Sequence, residues 1–400
     1  MSIPEPQPER DVPSWDFLRS RFDSSTRGEP TRTVGLWCVD VVEEFLTPTW
    51  TVDFWRAAGH APSIISAPWH GVAFDELVDL TLRVVDTDSI PGVAKLRRAT
   101  RTNLTDDRLL HNSLQLEVAA LARRSGADVH VEVKQHTPKP IDVIVNHDGR
   151  SIGVEAFVVL TDDRMRIGRE YADLIGDRMS ELRFKFDVEF DGELTMQLDD
   201  DETAAWVAAL AAAADEADIT QRTVRVDHRG GTVNVIPGRL ATSARFTGPQ
   251  VSGDGWSRTA RRLRAKAEQA HESGATWLRV DLRDGLWQFT PWSQARLPEK
   301  TDELAGAIVH VLQGIPLHGV VATSGSCMAQ GAYVGETYRG PRSVGLRRLI
   351  GQFRVRETII VPLCEEALAE GPLWYQMYDA EPTWRNELLE RFSLPDVELS

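Results

Sequence analysis

The chain has 400 residues, a mass of 44.7 kDa and a formal net charge of −15 at pH 7. Its hydrophobic fraction of 42% and charged fraction of 26% exclude a disordered or fibrous chain. No apolar run approaches the roughly 18 residues that span a bilayer, and the polar, proline-rich start is unlike a signal peptide. Three widely spaced cysteines, Cys38, Cys327 and Cys364, exclude a disulfide framework. These features predict a cytoplasmic protein of two or three domains.

The patterns along the chain predict four parts. Residues 1–30 show little periodicity and are expected to form a disordered arm, followed by a small helical or mixed N-terminal lobe over residues 31–100. Residues 101–365 mix helical and strand patterns, which is typical of a single α/β domain. Residues 366–400 are expected to form a C-terminal tail or helix.

The most regular patterns begin at Thr105. A helix is predicted from there to a stop glycine, Gly126, followed by three short strands, the last two joined by an Asp148-Gly149 turn. A second helix and a strand complete the order helix, three strands, helix, strand, and helices and strands continue to alternate after it. The predicted segments are a helix over 105–126, strands over 128–134, 141–145 and 151–160, a helix over 164–184 and a strand over 184–190.

Three carboxylates in this region lie among apolar neighbours. Glu117 falls within the apolar stripe of the first helix, while Asp142 and Glu155 share strand faces with apolar residues. A carboxylate facing a core is costly unless it is paired, metal-bound or protonated. Carboxylates that converge suit Mg²⁺, which takes oxygen ligands and lowers the pKa of a bound water.

The order of these elements resembles the core of the PD-(D/E)XK nuclease superfamily. The segment Pro-Ile-Asp at 140–142 opens one strand, and Val-Glu-Ala-Phe at 154–157 lies in the next. The resemblance covers about residues 106–190. It implies a restriction-endonuclease-like αβββαβ core with a mixed sheet, extended by C-terminal α/β elements.

The same resemblance implies the chemistry. It makes Glu117, Asp142 and Glu155 the ligands of Mg²⁺ or Mn²⁺, with Asp142 and Glu155 catalytic, in a nucleic-acid phosphodiesterase of restriction, repair or phage-defence type. The position of the superfamily's lysine is occupied by Phe157. Lys139 is the first candidate to replace that lysine and Lys134 the second, with Lys185 less suitable.

Two other classes of function stay open. If no lysine reaches the site, the domain is a catalytically inactive relative that binds nucleic acid or acts as an interaction scaffold. Alternatively, Cys327 in the Gly/Ser-rich segment after a strand is the nucleophile of an unrelated hydrolase, although the segment lacks the nucleophile-elbow pattern. The histidines show no zinc spacing and there is no P-loop, so neither zinc nor a nucleotide cofactor is predicted.

Two basic stretches are candidates for contact with a phosphate backbone. They contain Arg258, Arg261, Arg262, Arg264 and Lys266 in the first, and Arg339, Arg342, Arg347, Arg348, Arg354 and Arg356 in the second. The negative net charge opposes indiscriminate binding, but a local basic surface is compatible with it. The predicted partner is nucleic acid, with DNA favoured over RNA, and the alternative is that these are solvated helix faces. The predicted contacts are Arg258, Arg261, Arg262, Arg347 and Arg348, and a homo-oligomer stays an open alternative.

Overall fold

The computed structural model divides the chain into two compact units, one formed by residues 1–160 with 259–400 and the other by residues 161–258. The second unit therefore lies inside the predicted 101–365 domain, and the N-terminal helices belong to the first unit. None of the helices in the part of the chain that the structure describes is long and apolar enough to cross a membrane. The described residues are 14–23, 28–58, 62, 71–133, 139–159, 184–190, 200–228, 231–239, 244–247, 254–282, 296–324, 327–328, 335–350, 354–379 and 384–393.

The described part of the N-terminal region is helical. Its hydrophobic core continues without interruption into that of the first unit's sheet, because residues from both regions form one buried cluster. The helices are α1 (Trp15–Asp23), α2 (Glu29–Leu46), α3 (Trp50–Ala58), α4 (Gly71–Thr87), α5 (Val93–Thr102) and α6 (Asp106–Arg124).

A nine-stranded mixed sheet forms the centre of the first unit. Its strand order is β1-β2-β3-β8-β9-β13-β12-β11, with β10 paired to β13, and β3, β8 and β9 run parallel to one another. The strands are β1 (Asp128–Val133), β2 (Ile141–His147), β3 (Arg150–Val158), β8 (Trp277–Leu282), β9 (Gly319–Ser324), β10 (Cys327–Met328), β11 (Thr337–Arg339), β12 (Val344–Leu349) and β13 (Arg354–Pro362).

The remaining elements of the first unit are helices after β3. Helix α8 (Asp254–Ser273) starts within the second unit and belongs to the first from Thr259 onward, and it is followed by α9 (Leu297–Leu312), α10 (Glu365–Asp379) and α11 (Trp384–Arg391). The second unit contains α7 (Asp200–Thr220) and a four-stranded sheet of order β5-β6-β4-β7, built from β4 (Phe184–Phe190), β5 (Val224–His228), β6 (Gly231–Arg239) and β7 (Ala244–Thr247).

Helices cover both faces of the large sheet. Because side chains alternate along a strand, the register places Ala156 and Arg279 on one face and Glu155 on the other. Helices α4, α6 and α10 contact the Arg279 face. Helix α9 packs on the Glu155 face, where a Cβ at Gly345 would lie 2.2 Å from Oγ1 of Thr301, so only glycine permits this approach.

The sequence signals around α6 act as predicted. Thr105 caps the helix by accepting a hydrogen bond from the backbone N–H of Arg108 (3.4 Å), and two aspartates in the first turn favour the positive end of the helix dipole. Gly126, at φ 82°, follows the helix end, and Asp148 and Gly149 take the positive φ that a tight hairpin needs. The mixed α/β class with a mixed sheet is confirmed.

The last strand of the predicted core belongs to a different sheet. The strand over 184–190 exists as β4, but it belongs to the small sheet of the second unit and not beside β3. The strand that pairs with β3 is β8, which follows α8 in the chain. The helix predicted over 164–184 lies outside the described residues except for Phe184, which begins β4.

Candidate functional site

Three acids form one row across neighbouring strands of the large sheet. Val131 pairs with Val143 and Val133 with Ile141, so Glu132 of β1 stands opposite Asp142 of β2. The β2–β3 register, extended by one residue beyond Val143 and Val154, sets Asp142 opposite Glu155 of β3. Like charges directly opposite one another destabilise a sheet, so the row needs a compensating partner.

The row opens into a cleft of about 460 Å³ within the first unit. Its walls come from the start of α6, the ends of β1 and β3, the start of β2 and one face of α8. The lining residues are Asn103, Thr105, Asp107, Arg108, His111, Glu132, Lys139, Pro140, Asp142, Glu155, Phe157, Val158, Lys266 and Gln269. The predicted acids Asp142 and Glu155 therefore do lie together, on adjacent strands.

Each of these two carboxylates is fixed through one oxygen. Oδ2 of Asp142 accepts a hydrogen bond from the backbone N–H of Ala156 (2.9 Å), and Oε1 of Glu155 accepts one from the amide of Gln269 (2.8 Å). Oε2 of Glu155 is buried and has no hydrogen-bond partner among the described residues. Because Glu155 is 3% exposed, this oxygen is largely removed from solvent, which is costly for a carboxylate.

The electrostatics agree with a strained acid pair. Burial, followed by the charge of Glu155, raises the pKa of Asp142 well above its ordinary range. Burial also raises the pKa of Glu155 to about 7, although Lys266 opposes this shift and Glu132 adds to it. One proton or one cation in the cleft would relieve the repulsion between the two carboxylates.

Among the lysines of the cleft, Lys266 of α8 lowers the pKa of Glu155 the most. Its Nζ donates to Oε1 of Gln269 (3.1 Å), whose amide in turn donates to Glu155. Lys139, the first candidate from the sequence, also lines the cleft but is exposed at its rim. Lys134, the second candidate, lies outside the described residues.

His111 and Glu132 add two polar groups to the cleft. Nε2 of His111 lies 3.7 Å from Oδ2 of Asp142 and 2.9 Å from the amide nitrogen of Gln115, and burial lowers the pKa of His111 to about 4, so the ring is neutral at pH 7. Glu132 has a φ of 54°, in the left-handed region that few non-glycine residues adopt, and it pairs with Lys95 at 3.1 Å.

Glu117 is not part of this site, which corrects the expectation that it joins Asp142 and Glu155. Its Oε1 lies 2.5 Å from Arg279, and Oε2 lies 2.6 Å from Arg83 and 3.1 Å from Arg356. Burial alone would raise the pKa of Glu117, but these three guanidinium groups hold it well below its ordinary range. Since Arg279 and Glu155 point to opposite faces of the sheet, Glu117 lies on the wrong face to share an ion with Glu155.

Arg347 and Arg348 of the second basic stretch are engaged within the protein. Arg347 is buried and bonds to Glu357 (2.8 Å) and Glu336 (2.9 Å), while Arg348 bonds to Asp379 and to Thr337 (2.7 Å). The expected contacts of Arg347 and Arg348 with nucleic acid are therefore replaced by contacts with this chain's own carboxylates and hydroxyl. In the first stretch, Arg261 and Arg262 are exposed on α8, and Arg258 is half-buried.

Two further features bear on the alternatives. Cys327 lies in the two-residue strand β10, paired with Val355. Within the described residues, no cluster of three or more His, Cys, Asp or Glu side chains is arranged to hold a metal ion. Any ion at the cleft would thus rely on two carboxylates, which is enough for Mg²⁺ when substrate and water supply the other oxygens.

Sequence reasoning named Lys266 only as part of a basic helix face, and it did not assign Gln269 or Glu132 to the site. A signal was present for Lys266, since it is one of only six lysines in the chain. Nothing local connects α8 to β3, however, because the residues of the second unit separate them in the sequence.

Comparisons with protein-family models, curated proteins and solved structures find no match for this chain.

Proposed function

We propose that the cleft is the active site of a Mg²⁺- or Mn²⁺-dependent phosphodiesterase that cleaves nucleic acid. The observation that carries this proposal is the buried Asp142–Glu155 pair in an open cleft beside Lys266, with one carboxylate oxygen that has no partner among the described residues. A structural carboxylate pair would gain nothing from this arrangement, since both acids are desolvated and repel each other.

The order of elements supports the same proposal. When the second unit is regarded as an insertion after β3, the chain has the sequence α6-β1-β2-β3-α8-β8, with the last strand parallel to β3. This is the αβββαβ order of the restriction-endonuclease-like core, with a mixed sheet. The resemblance to the PD-(D/E)XK superfamily thus extends to residues beyond 106–190, with the insertion between the third strand and the second helix.

Asp142 and Glu155 fit a divalent cation. Each carboxylate is oriented in advance by a hydrogen bond to one of its oxygens, so binding costs little further side-chain entropy. A bound Mg²⁺ would supply charge to a phosphoryl oxygen and lower the pKa of a water. The two acids would hold the ion, and the relief of their mutual repulsion would favour its binding.

Lys266 serves as the superfamily's lysine, whose usual position is occupied by Phe157 in this chain. Its ammonium donates to Gln269, which in turn donates to Glu155, so one residue links it to the carboxylate and its charge acts on Glu155. From there it can orient the attacking water or stabilise the charge that develops on the phosphate. The neutral ring of His111 beside Asp142 offers a further hydrogen-bonding group for that water.

The test is a cleavage assay with the purified full chain. Single- and double-stranded DNA and RNA are incubated with Mg²⁺ or Mn²⁺, with a chelator as the control. Cleavage that requires the ion and is lost in Glu155→Gln supports the proposal. Binding of nucleic acid without cleavage of any of these substrates would reject it in favour of an inactive scaffold. Loss of activity on thiol alkylation, without dependence on a divalent ion, would favour a hydrolase that uses Cys327.

A further inference from the structure

One face of α8 carries a line of polar side chains that leads out of the cleft. Residues four apart on a helix are about 40° apart around its axis, so Arg262 lies one turn before Lys266 on the same side. Gln269 continues the line inside the cleft, where it contacts Glu155. The buried side of the helix is formed by Leu263, Ala267 and Ala270, so this line runs along its edge.

Arg262 is placed differently from its neighbour Arg261. Both are exposed, and neither has an ion-pair partner among the residues that the structure describes. Arg261 is five residues before Lys266 and therefore about 140° away around the helix axis. It points away from the line that enters the cleft, whereas Arg262 extends that line.

Four arginines of the second basic stretch are occupied within the protein. Arg347 and Arg348 are satisfied by carboxylates, Arg356 is buried against Asp79 and Glu117, and Arg339 covers the ring of Tyr375. Arg264, on α8 itself, donates to the carbonyl of Val311 (3.0 Å) and pairs with Glu268. An exposed arginine next to an acidic cleft adds attraction for a polyanion where the acids alone would repel it.

We infer that Arg262 binds the phosphate next to the scissile one, so that the substrate of the cleft is a polynucleotide chain and not a lone phosphodiester. The inference rests on the proposed function. Lys266 faces the scissile phosphate, and Arg262 is one helical turn away, with a Cβ separation of about 5–6 Å. An arginine side chain spans that distance with its forked donors, which suits bidentate contact with phosphate oxygens.

The first experiment measures binding in chelator, where ion-dependent cleavage does not occur. The affinity of the full chain for a fluorescent single-stranded oligonucleotide is determined over a series of salt concentrations. Arg262→Gln is expected to weaken binding about fivefold to tenfold and to reduce the slope of log K against log salt by about 0.7. Arg261→Gln, an equally exposed arginine on the same helix, is the matched control and should behave as the wild type.

The second experiment uses bis(4-nitrophenyl) phosphate, which has no flanking phosphate. With Mn²⁺ present, Arg262→Gln should lower kcat/KM on the oligonucleotide about fivefold to tenfold and leave the rate on the small diester unchanged. An equal loss on both substrates, or an equal change of salt slope in Arg261→Gln, overturns the inference. If the wild type cleaves neither substrate, the proposed function is rejected. A salt slope that is reduced only in Arg262→Gln would still support the phosphate contact.

Discussion

Glu117 and Glu155 lie on opposite faces of one sheet, each 3% exposed, and their surroundings differ in kind. Glu117 is surrounded by three guanidinium groups and the hydroxyl of Tyr378 (3.1 Å), so its charge is compensated within the protein. Glu155 is set beside a second buried acid, and one of its oxygens has no partner among the described residues. The first arrangement is what a stable fold requires of a buried charge, and the second is what a ligand site requires.

Burial alone does not distinguish Glu155 from Glu117. Both glutamates break the apolar pattern of their elements, and both are buried as that pattern predicts. Their roles differ through partners from distant segments: Arg83, Arg279 and Arg356 for Glu117, and Lys266 and Gln269 for Glu155. The acids around Glu155 make the further difference: three guanidinium groups compensate Glu117, whereas Asp142 and Glu132 add negative charge beside Glu155.

The largest expected effect is on folding. Glu117→Gln leaves three buried guanidinium groups without their common counter-ion, and we expect a loss of about 3–5 kcal/mol in the free energy of unfolding. Glu155→Gln removes a desolvated, repelling charge and is expected to raise that free energy by about 2 kcal/mol at neutral pH. Urea unfolding at neutral pH measures both variants. Equal destabilisation by the two substitutions would show that Glu117 and Glu155 contribute equally to the stability of the fold.

The second effect is on catalysis. Asp142→Asn removes half of the carboxylate pair, and the expected loss of Mg²⁺-dependent cleavage is about a thousandfold, since charge stabilisation by the ion is worth several kcal/mol. Asp148→Asn, in the turn at the other end of the same hairpin, is the matched control and should keep full activity. Cleavage that persists in Asp142→Asn would remove the pair from the mechanism.

The third effect separates the two lysines in the cleft. Lys266→Gln should lower turnover about a hundredfold while Mn²⁺ affinity persists, because the ammonium acts on water and phosphate and not as a ligand. Lys139→Gln, at the rim, should cause only a small fraction of that loss. Turnover and Mn²⁺ binding are measured on the same preparations. A larger loss in Lys139→Gln would restore the lysine that the sequence favoured.

Local features of the fold could be predicted, because their causes are local. The threonine cap and the glycine stop of α6, the alternation of β1 and the Asp-Gly turn each depend on a few adjacent residues. The pairing of β3 with β8 could not, since the residues of the second unit separate them in sequence. The strand over 184–190 has the right alternation for that place, but alternation does not specify which sheet a strand joins.

The site was predicted in the same uneven way. Asp142 and Glu155 were found because a hairpin fixes their relation: the register of two adjacent strands brings them opposite each other. Glu117 was assigned to the same site because its register on α6 shows that it is buried but not which face of the sheet receives it. Lys266 and Gln269 were missed because they reach the cleft through tertiary packing of α8 alone.

The smallest expected effect is a dependence of stability on pH that follows from the raised pKa of Glu155. An acid whose pKa rises from 4.5 to about 7 on folding holds its proton in the folded state over a range where the unfolded chain has lost it. The folded state then binds more protons than the unfolded one, so this contribution is present below about pH 4.5 and is lost as the pH rises through about 7.

A full shift of that size would correspond to about 3 kcal/mol, and water in the open cleft screens part of it, so we expect about 2 kcal/mol. The free energy of unfolding of Glu155→Gln, relative to that of the wild type, should therefore increase by that amount between about pH 5 and pH 7.5. Asp148→Asn should follow the wild-type curve. Mn²⁺ should close the gap at the higher pH, because it binds the ionised pair and stabilises only the folded wild type. If the free energy of unfolding varies with pH in parallel for the wild type and Glu155→Gln in chelator, Glu155 ionises without loss of stability. Asp142 and Glu155 would then not be the strained pair that the proposed site requires.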